Sequence, residues 1–195
     1  MNWAKSGVQL EFLKEAFPSY LYFDVAEVID KIKLTKTYHN HLPLSYLSFR
    51  VINDGQVYLI PERIYNKEIN NYDTLTKLQK NILSCIYTRS SDGFVREKHI
   101  KNLIENDKIE EWMYPFLYKI CDEYIISILQ IFYANRYHIC TNQFIKFIKE
   151  NPSFVQVGYD RMTSYWDCYH RHKYPKLTDY VGYKIYHDCF EFKKY

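Results

Sequence analysis

The sequence predicts a mainly helical α+β domain, and three observations carry that reading. Apolar residues recur at three- and four-residue spacing along most of the chain, as one buried helix face requires. Glycine and proline are scarce, at 5 and 6 in 195 residues, so turns are few and helices long. Only one stretch pairs two β-favouring runs across a tight-turn sequence: Ser48 to Ile52, then Asn53-Asp54-Gly55, then Gln56 to Ile60.

The elements follow in order. Leu10, Leu13, Ala16 and Phe17 keep helical spacing until Pro18 stops the turn. Val25, Val28, Ile29 and Ile32 form a second stripe, with Asp24 placed as its N-cap. Residues 38–43, with His39 and His41, read as a loop. The hairpin comes next, its turn made by residues that tolerate positive φ, and Pro61 ends its second strand. A lone hairpin is marginal, so it must pack on helices or on another strand.

From residue 62 the pattern turns helical. Ile64, Tyr65 and Ile69 mark a short helix; Leu75, Leu78, Ile82 and Ile86 mark a longer one, capped by Thr74. After the turn Ser90-Ser91-Asp92-Gly93, Val95, His99, Ile100, Leu103 and Ile104 give another, ending near Asn106-Asp107. The stretch from Trp112 to about Arg136 is apolar on most sides, with Pro115 in its first turn, and reads as a central apolar helix that the others cover. Thr141 opens a helix through Phe144, Phe147 and Ile148 that Asn151-Pro152 terminates. A long helix from about Ser153 is broken at Tyr174-Pro175, and a short one covers residues 178–190. With no repeat, linker or low-complexity tract, residues 1–195 read as a single globular domain.

Bulk composition narrows the function. Hydrophobic residues at 47% and charged residues at 25% give a well-cored chain. The net charge of +3 is mild and the acids and bases interleave, so no phosphate-binding stripe is called for. Five cysteines, an odd count without a CxxC, fit reduced thiols in a cytoplasmic protein. The opening residues lack the pattern of a secretory signal, and no apolar run approaches ~20 residues, so the expected chain neither enters nor spans a membrane. There is no GxSxG, no HExxH and no glycine-rich phosphate loop, so no cofactor is expected.

The densest run of unusual residues is Tyr159 to Tyr183, with six tyrosines, one tryptophan, two histidines and two arginines. Such side chains join an apolar body to a polar tip, and serve either as a hydrogen-bonded lock or as interface anchors. Helical spacing would put Arg161, Tyr165, Cys168 and His172 on one face and Trp166, Tyr169, His170 and Lys173 around another, with Asp167 and Arg171 paired at i,i+4. Tyr169, His170, Arg171 and His172 are the candidate partner-binding residues. Asp167, Cys168, His170 and His172, or His39 and His41, could be drawn as metal ligands, but no second ligand pair completes either set, so no metal is expected.

Asp122-Glu123-Tyr124 interrupts the apolar stretch. A buried carboxylate needs a cation, so Glu123 is expected to form a structural ion pair with Arg96 or Arg161. A catalytic use of Glu123 or Asp167 with His170 and Arg161 is the enzymatic alternative, and base stacking by the tyrosines beside Arg171, His172 and Lys173 is the nucleic-acid alternative. His99, on an apolar face, reads as a satisfied core histidine.

Asp92-Gly93-Phe94-Val95-Arg96-Glu97, Trp112-x-x-Pro115-Phe116, Glu123-Tyr124-Ile125-x-x-Ile128-Leu129, Glu150-Asn151-Pro152, Ser164 to Tyr169 with Arg171, and Asp179-Tyr180-x-Gly182-Tyr183 together resemble a set of bacterial proteins with no assigned activity, over roughly residues 45–185. By type the chain also resembles the compact, motif-poor proteins encoded beside toxins in contact-dependent inhibition and other polymorphic toxin systems. That resemblance implies a non-enzymatic, cytoplasmic immunity protein whose partner is a cognate protein toxin.

Overall fold

The computed structural model describes residues 9–40, 42–106 and 108–192. The chain is mainly helical with one small antiparallel hairpin. It divides into two compact units: Met1–Val51 with Gly55–Glu105, and Ile52–Asp54 with Asn106–Tyr195.

In the first unit a 3-10 turn, Phe12–Ala16, buries Leu13 and Ala16, and Phe17 turns extended ahead of Pro18. Helix α1, Tyr22–Lys33, buries the expected Val25, Val28, Ile29 and Ile32. Asp24 is not its N-cap but lies in its first turn, where it accepts from Gln79 Nε2 at 2.9 Å. The strands are β1, Ser48–Asn53, and β2, Gln56–Pro61. Their two-residue turn places both Asp54 (φ 49°) and Gly55 (φ 72°) in the left-handed region, as the right-handed twist of a hairpin demands.

Helix α2, Lys77–Tyr87, starts at Thr76 rather than Thr74. Thr76 Oγ1 accepts from Gln79 N–H at 3.2 Å while Gln79 Oε1 accepts from Thr76 N–H at 3.1 Å, a reciprocal capping box. Helix α3, Gly93–Ile104, is capped by Asp92, whose carboxylate accepts from Phe94 N–H at 2.8 Å. Helix α2 packs against both α1 and α3.

The helix expected at Ile64 to Ile69 does not form. This stretch is extended and makes antiparallel bridges from Ile64 to Leu44 and from Asn66 to Thr37, plus a parallel bridge from Ile64 to Ser90. Non-local backbone pairing has overridden the local apolar spacing, and the Asn66 side chain locks it by donating to Ile32 O at 3.2 Å.

In the second unit the apolar stretch from Trp112 is not one helix. A 3-10 turn, Glu111–Met113, leads into α4, Tyr114–Lys119, all six of whose residues are buried. The chain then breaks at Ile120–Ile125 and resumes as α5, Ile126–Ala134, and α6, Arg136–Ile139. The break coincides with the charges: Lys119 turns back onto Asp122, Cys121 N–H bonds Tyr118 O three residues earlier, and Ile125 is extended.

Helix α7, Asn142–Glu150, is capped by Thr141 as expected. Asn151 ends it, and its amide grips both backbone groups of Ile52, donating to the carbonyl at 2.7 Å and accepting from the N–H at 2.8 Å. Helix α8, Pro152–Tyr165, runs on into a π-turn, Trp166–His170. Helix α9, Val181–Lys184, does the same through Ile185–Cys189 and packs on α5 and α8. Phe132, Phe144 and Phe190 form the aromatic centre of this unit, with Tyr118 and Tyr186 ranged against Phe190.

Candidate interaction surface

The four candidate partner-binding residues lie where α8 gives way to its π-turn. Tyr169, Arg171 and His172 are exposed and His170 is half-buried, so this segment is not a core-closing helix. Tyr169 keeps 55% of its surface and Tyr124 keeps 45%, which is unusual for tyrosines that also touch one another. Tyr124, Tyr165 and Tyr169 form a triangle with ring centroids 5.8, 5.9 and 6.1 Å apart.

The arrangement is held from several sides. Trp166 Nε1 donates to Tyr174 O at 2.8 Å, closing the loop beyond the π-turn. His170 Nε2 donates to Tyr124 O at 2.9 Å, and its ring stacks on buried Tyr180 at 5.2 Å. Arg171 pairs with Asp167 at 2.8 Å, the expected i,i+4 pair, with its guanidinium 5.5 Å from the Trp166 ring. Exposed pairs of this kind are worth little stability, about 0–1 kcal/mol.

Glu123, Arg96 and Arg161 all have places in the charged chemistry of the chain. Glu123 is buried in the second unit and Arg96 is buried in the first, where its Nη1 donates to Ser90 O at 2.7 Å and Ser91 O at 3.2 Å. Arg161 Nη1 lies 3.8 Å from Asp122 Oδ2, the carboxylate next to Glu123. Lys119, which sequence reasoning passed over, is buried and hydrogen-bonded to the same Asp122 oxygen. Its signal was available as a lysine three residues before an aspartate in an otherwise apolar run.

The enzymatic constellation is not assembled around Asp167: this carboxylate turns to Arg171, while His170 turns to a backbone carbonyl. Among the described residues no group of three His, Cys, Asp or Glu side chains could hold a metal ion, and His41 lies outside them.

His99 is a satisfied core histidine. Its Nδ1 lies 3.1 Å from Ser84 Oγ and its Nε2 lies 2.8 Å from Glu68 Oε1, which Lys98 also reaches at 2.7 Å. Burial depresses the His99 pKa against the pull of Glu68, so the ring is neutral at pH 7. The order serine, histidine, carboxylate is that of a hydrolytic relay, but Ser84 is buried inside α2. Its role is to tie α2, α3 and the extended segment together.

Among the described residues no helix is long and apolar enough to cross a membrane. Comparison with protein-family models, with curated proteins and with solved structures finds no match.

Proposed function

We propose that this chain is a non-enzymatic binding protein of the bacterial immunity type, acting in the cytoplasm to neutralise a cognate toxin by direct protein–protein contact. The observation that carries the proposal is the exposed aromatic and basic face at Tyr169, Arg171 and His172, with half-buried His170 between them. Aromatic rings and arginine are the side chains that dominate binding hot spots, because they bring broad contact area with few rotamers to freeze. Here the backbone that presents them is braced by the Trp166–Tyr174 and His170–Tyr124 bonds, which lowers the ordering entropy that opposes association. The same rings would serve for stacking single-stranded nucleic acid, but Asp167 neutralises the nearest arginine, which favours a protein surface over a phosphate backbone.

The test is co-expression with the toxin encoded beside the gene, scored by survival and by co-elution of a one-to-one complex. Tyr169→Ala and Arg171→Ala should each weaken binding about 30-fold or more, the weight of a 2 kcal/mol hot spot, with unchanged thermal melting. Cys168 is exposed on the same segment, so its alkylation by iodoacetamide should slow in the complex. Full protection by both alanine variants, with undiminished Cys168 alkylation, would remove this face from consideration. Tight binding of a labelled single-stranded oligonucleotide, lost in Tyr169→Ala, would favour the nucleic-acid reading.

A further inference from the structure

Cys140 and Cys189 are distant in sequence and meet in the second unit. Cys140 stands at the corner between α6 and α7, where its N–H donates to Arg136 O at 2.7 Å just before Thr141 caps the next helix. Cys189 closes the C-terminal π-turn. The residues on either side of it are held against the elements that flank that corner. Asp188 accepts from Tyr133 Oη at 2.7 Å, at the end of α5. The Phe190 ring packs 6.2 Å from Phe132 on α5 and 5.9 Å from Phe144 on α7. Cys189 between them is buried, Cys140 is half-buried, and the two thiols hydrogen-bond with one another.

That hydrogen bond, together with burial, pushes the Cys140 thiol up, so Cys140 keeps its proton at neutral pH. The pair therefore rests reduced, as a cytoplasmic thiol pair should. Cys121 is near enough for its charge to be felt by Cys140, but its thiol is turned to Leu117 O at 3.6 Å within its own segment. Thiols already in hydrogen-bonding contact need only side-chain rotation to reach a disulfide's bonding distance of about 2.05 Å.

We propose that Cys140 and Cys189 form a reversible oxidation site, closing to a disulfide when the protein meets a hydroperoxide. One sulfur, as the thiolate, attacks the terminal oxygen of the hydroperoxide. The O–O bond breaks, the alkoxide or hydroxide leaves with a proton, and a sulfenic acid forms. The second sulfur then attacks the first: S–S forms, S–O breaks, and hydroxide leaves with the second thiol's proton as water. Two electrons pass from the thiols to the hydroperoxide, and a dithiol reductant returns them. The bond closes a loop that contains α7, α8 and the exposed face at Tyr169, so oxidation fastens the ends of the segment that carries the candidate surface.

The experiment treats the full chain with hydrogen peroxide, quenches with catalase, alkylates the remaining thiols with iodoacetamide and maps the peptides by mass spectrometry without reductant. The expected product joins the Cys140 and Cys189 peptides, lighter by two hydrogen atoms than their sum, and separates with dithiothreitol. Exposed Cys168 is the internal control: its peptide should gain oxygen, which dithiothreitol does not remove from a sulfinic acid. The disulfide should raise the melting temperature by about 5–15 °C, because it closes a long loop in the unfolded chain. Cys140→Ser should lose both the joined peptides and the shift, while Cys121→Ser should keep both. Joining through Cys121 in place of either partner overturns the proposal. So does oxygen uptake at Cys140 and Cys189 without joining, or full alkylation of both after Cys168 is oxidised. Joined peptides with an unchanged or lowered melting temperature also overturn it, because the bond would then have formed in partly unfolded molecules and not in the native contact.

Discussion

Gly158 faces two tyrosine hydroxyls, and replacing it by alanine sets two effects against each other. Alanine in a helix interior gains about 1 kcal/mol over glycine. At this position its Cβ would stand 2.2 Å from Tyr118 Oη and 2.5 Å from Tyr186 Oη, far inside contact distance. Neither ring has room to retreat, since both are buried. Tyr118 Oη donates to Val155 O at 3.0 Å and lies 3.0 Å from Tyr186 Oη, so a shift strands at least one buried hydroxyl. Stranding costs about 1–3 kcal/mol and the overpacking about as much again. The net expectation for Gly158→Ala is a loss of about 2–4 kcal/mol, read by urea denaturation. Tyr118→Phe removes the nearest atom, so the double variant should lose less than the sum of the two single losses. Rescue will be partial, because Tyr186 Oη remains 2.5 Å and Tyr118 Cζ 3.1 Å away. Should Gly158→Ala prove as stable as the parent, the close packing of α8 on α4 and the C-terminal π-turn is wrong, and with it the positioning of the face that α8 carries.

Two further predictions concern the first unit. The Glu68–His99–Ser84 relay makes stability fall on acidification in two stages. Burial holds the His99 pKa below its usual 6.5, so the unfolded chain takes up a proton first and stability declines as pH falls through 6.5, levelling off below the folded value. Burial pushes the Glu68 pKa up, but its bonds to Lys98 and His99 outweigh that and hold it below 4.5, so a second loss sets in as pH falls through 4.5. Urea midpoints at a series of pH values test this, and His99→Phe should abolish the first stage; a parent curve flat from pH 8 to 5 would refute it. Thr76→Ala should cost about 1 kcal/mol by opening the capping box, whereas Thr74→Ala should change stability little; equal effects would deny the cap at Thr76.

Those two threonines mark how legible the fold was in the sequence. Stripes such as Val25-Val28-Ile29-Ile32 and the turn Asn53-Asp54-Gly55 are local signals, and each formed as read. The cap lies two residues from the expected one because either threonine satisfies the local rule, and only Gln79 at the third helical position decides between them. The extended run at Ile64 to Asn66 was not legible, because its pairing partners are Leu44, Thr37 and Ser90, remote in sequence. The apolar stretch from Trp112 broke where a lysine and an aspartate three apart found each other in the core. The Lys119–Asp122 pair lies at that break, where no proline or glycine marks it in the sequence.

The candidate surface was legible in residue type but not in geometry. Regular helical spacing would carry the face of Arg161 and Tyr165 on through Cys168 to His172. The π-turn adds a residue at Trp166–His170, and Arg171 N–H reaches back five positions to Trp166 O at 2.8 Å. Every side chain after the insertion is rotated by roughly one residue's turn, about 100°, relative to the helix before it. That rotation lets Tyr169 stay exposed beside Tyr165 and Tyr124 while His170 turns inward to stack on Tyr180. A π-turn is strained relative to a regular helix and persists where surrounding bonds over-determine it, often at functional sites. Here the bonds from Trp166 to Tyr174 and from His170 to Tyr124 supply that constraint. The strain is thus held by the Trp166 indole and the His170 ring, while Tyr169, Arg171 and His172 stay exposed.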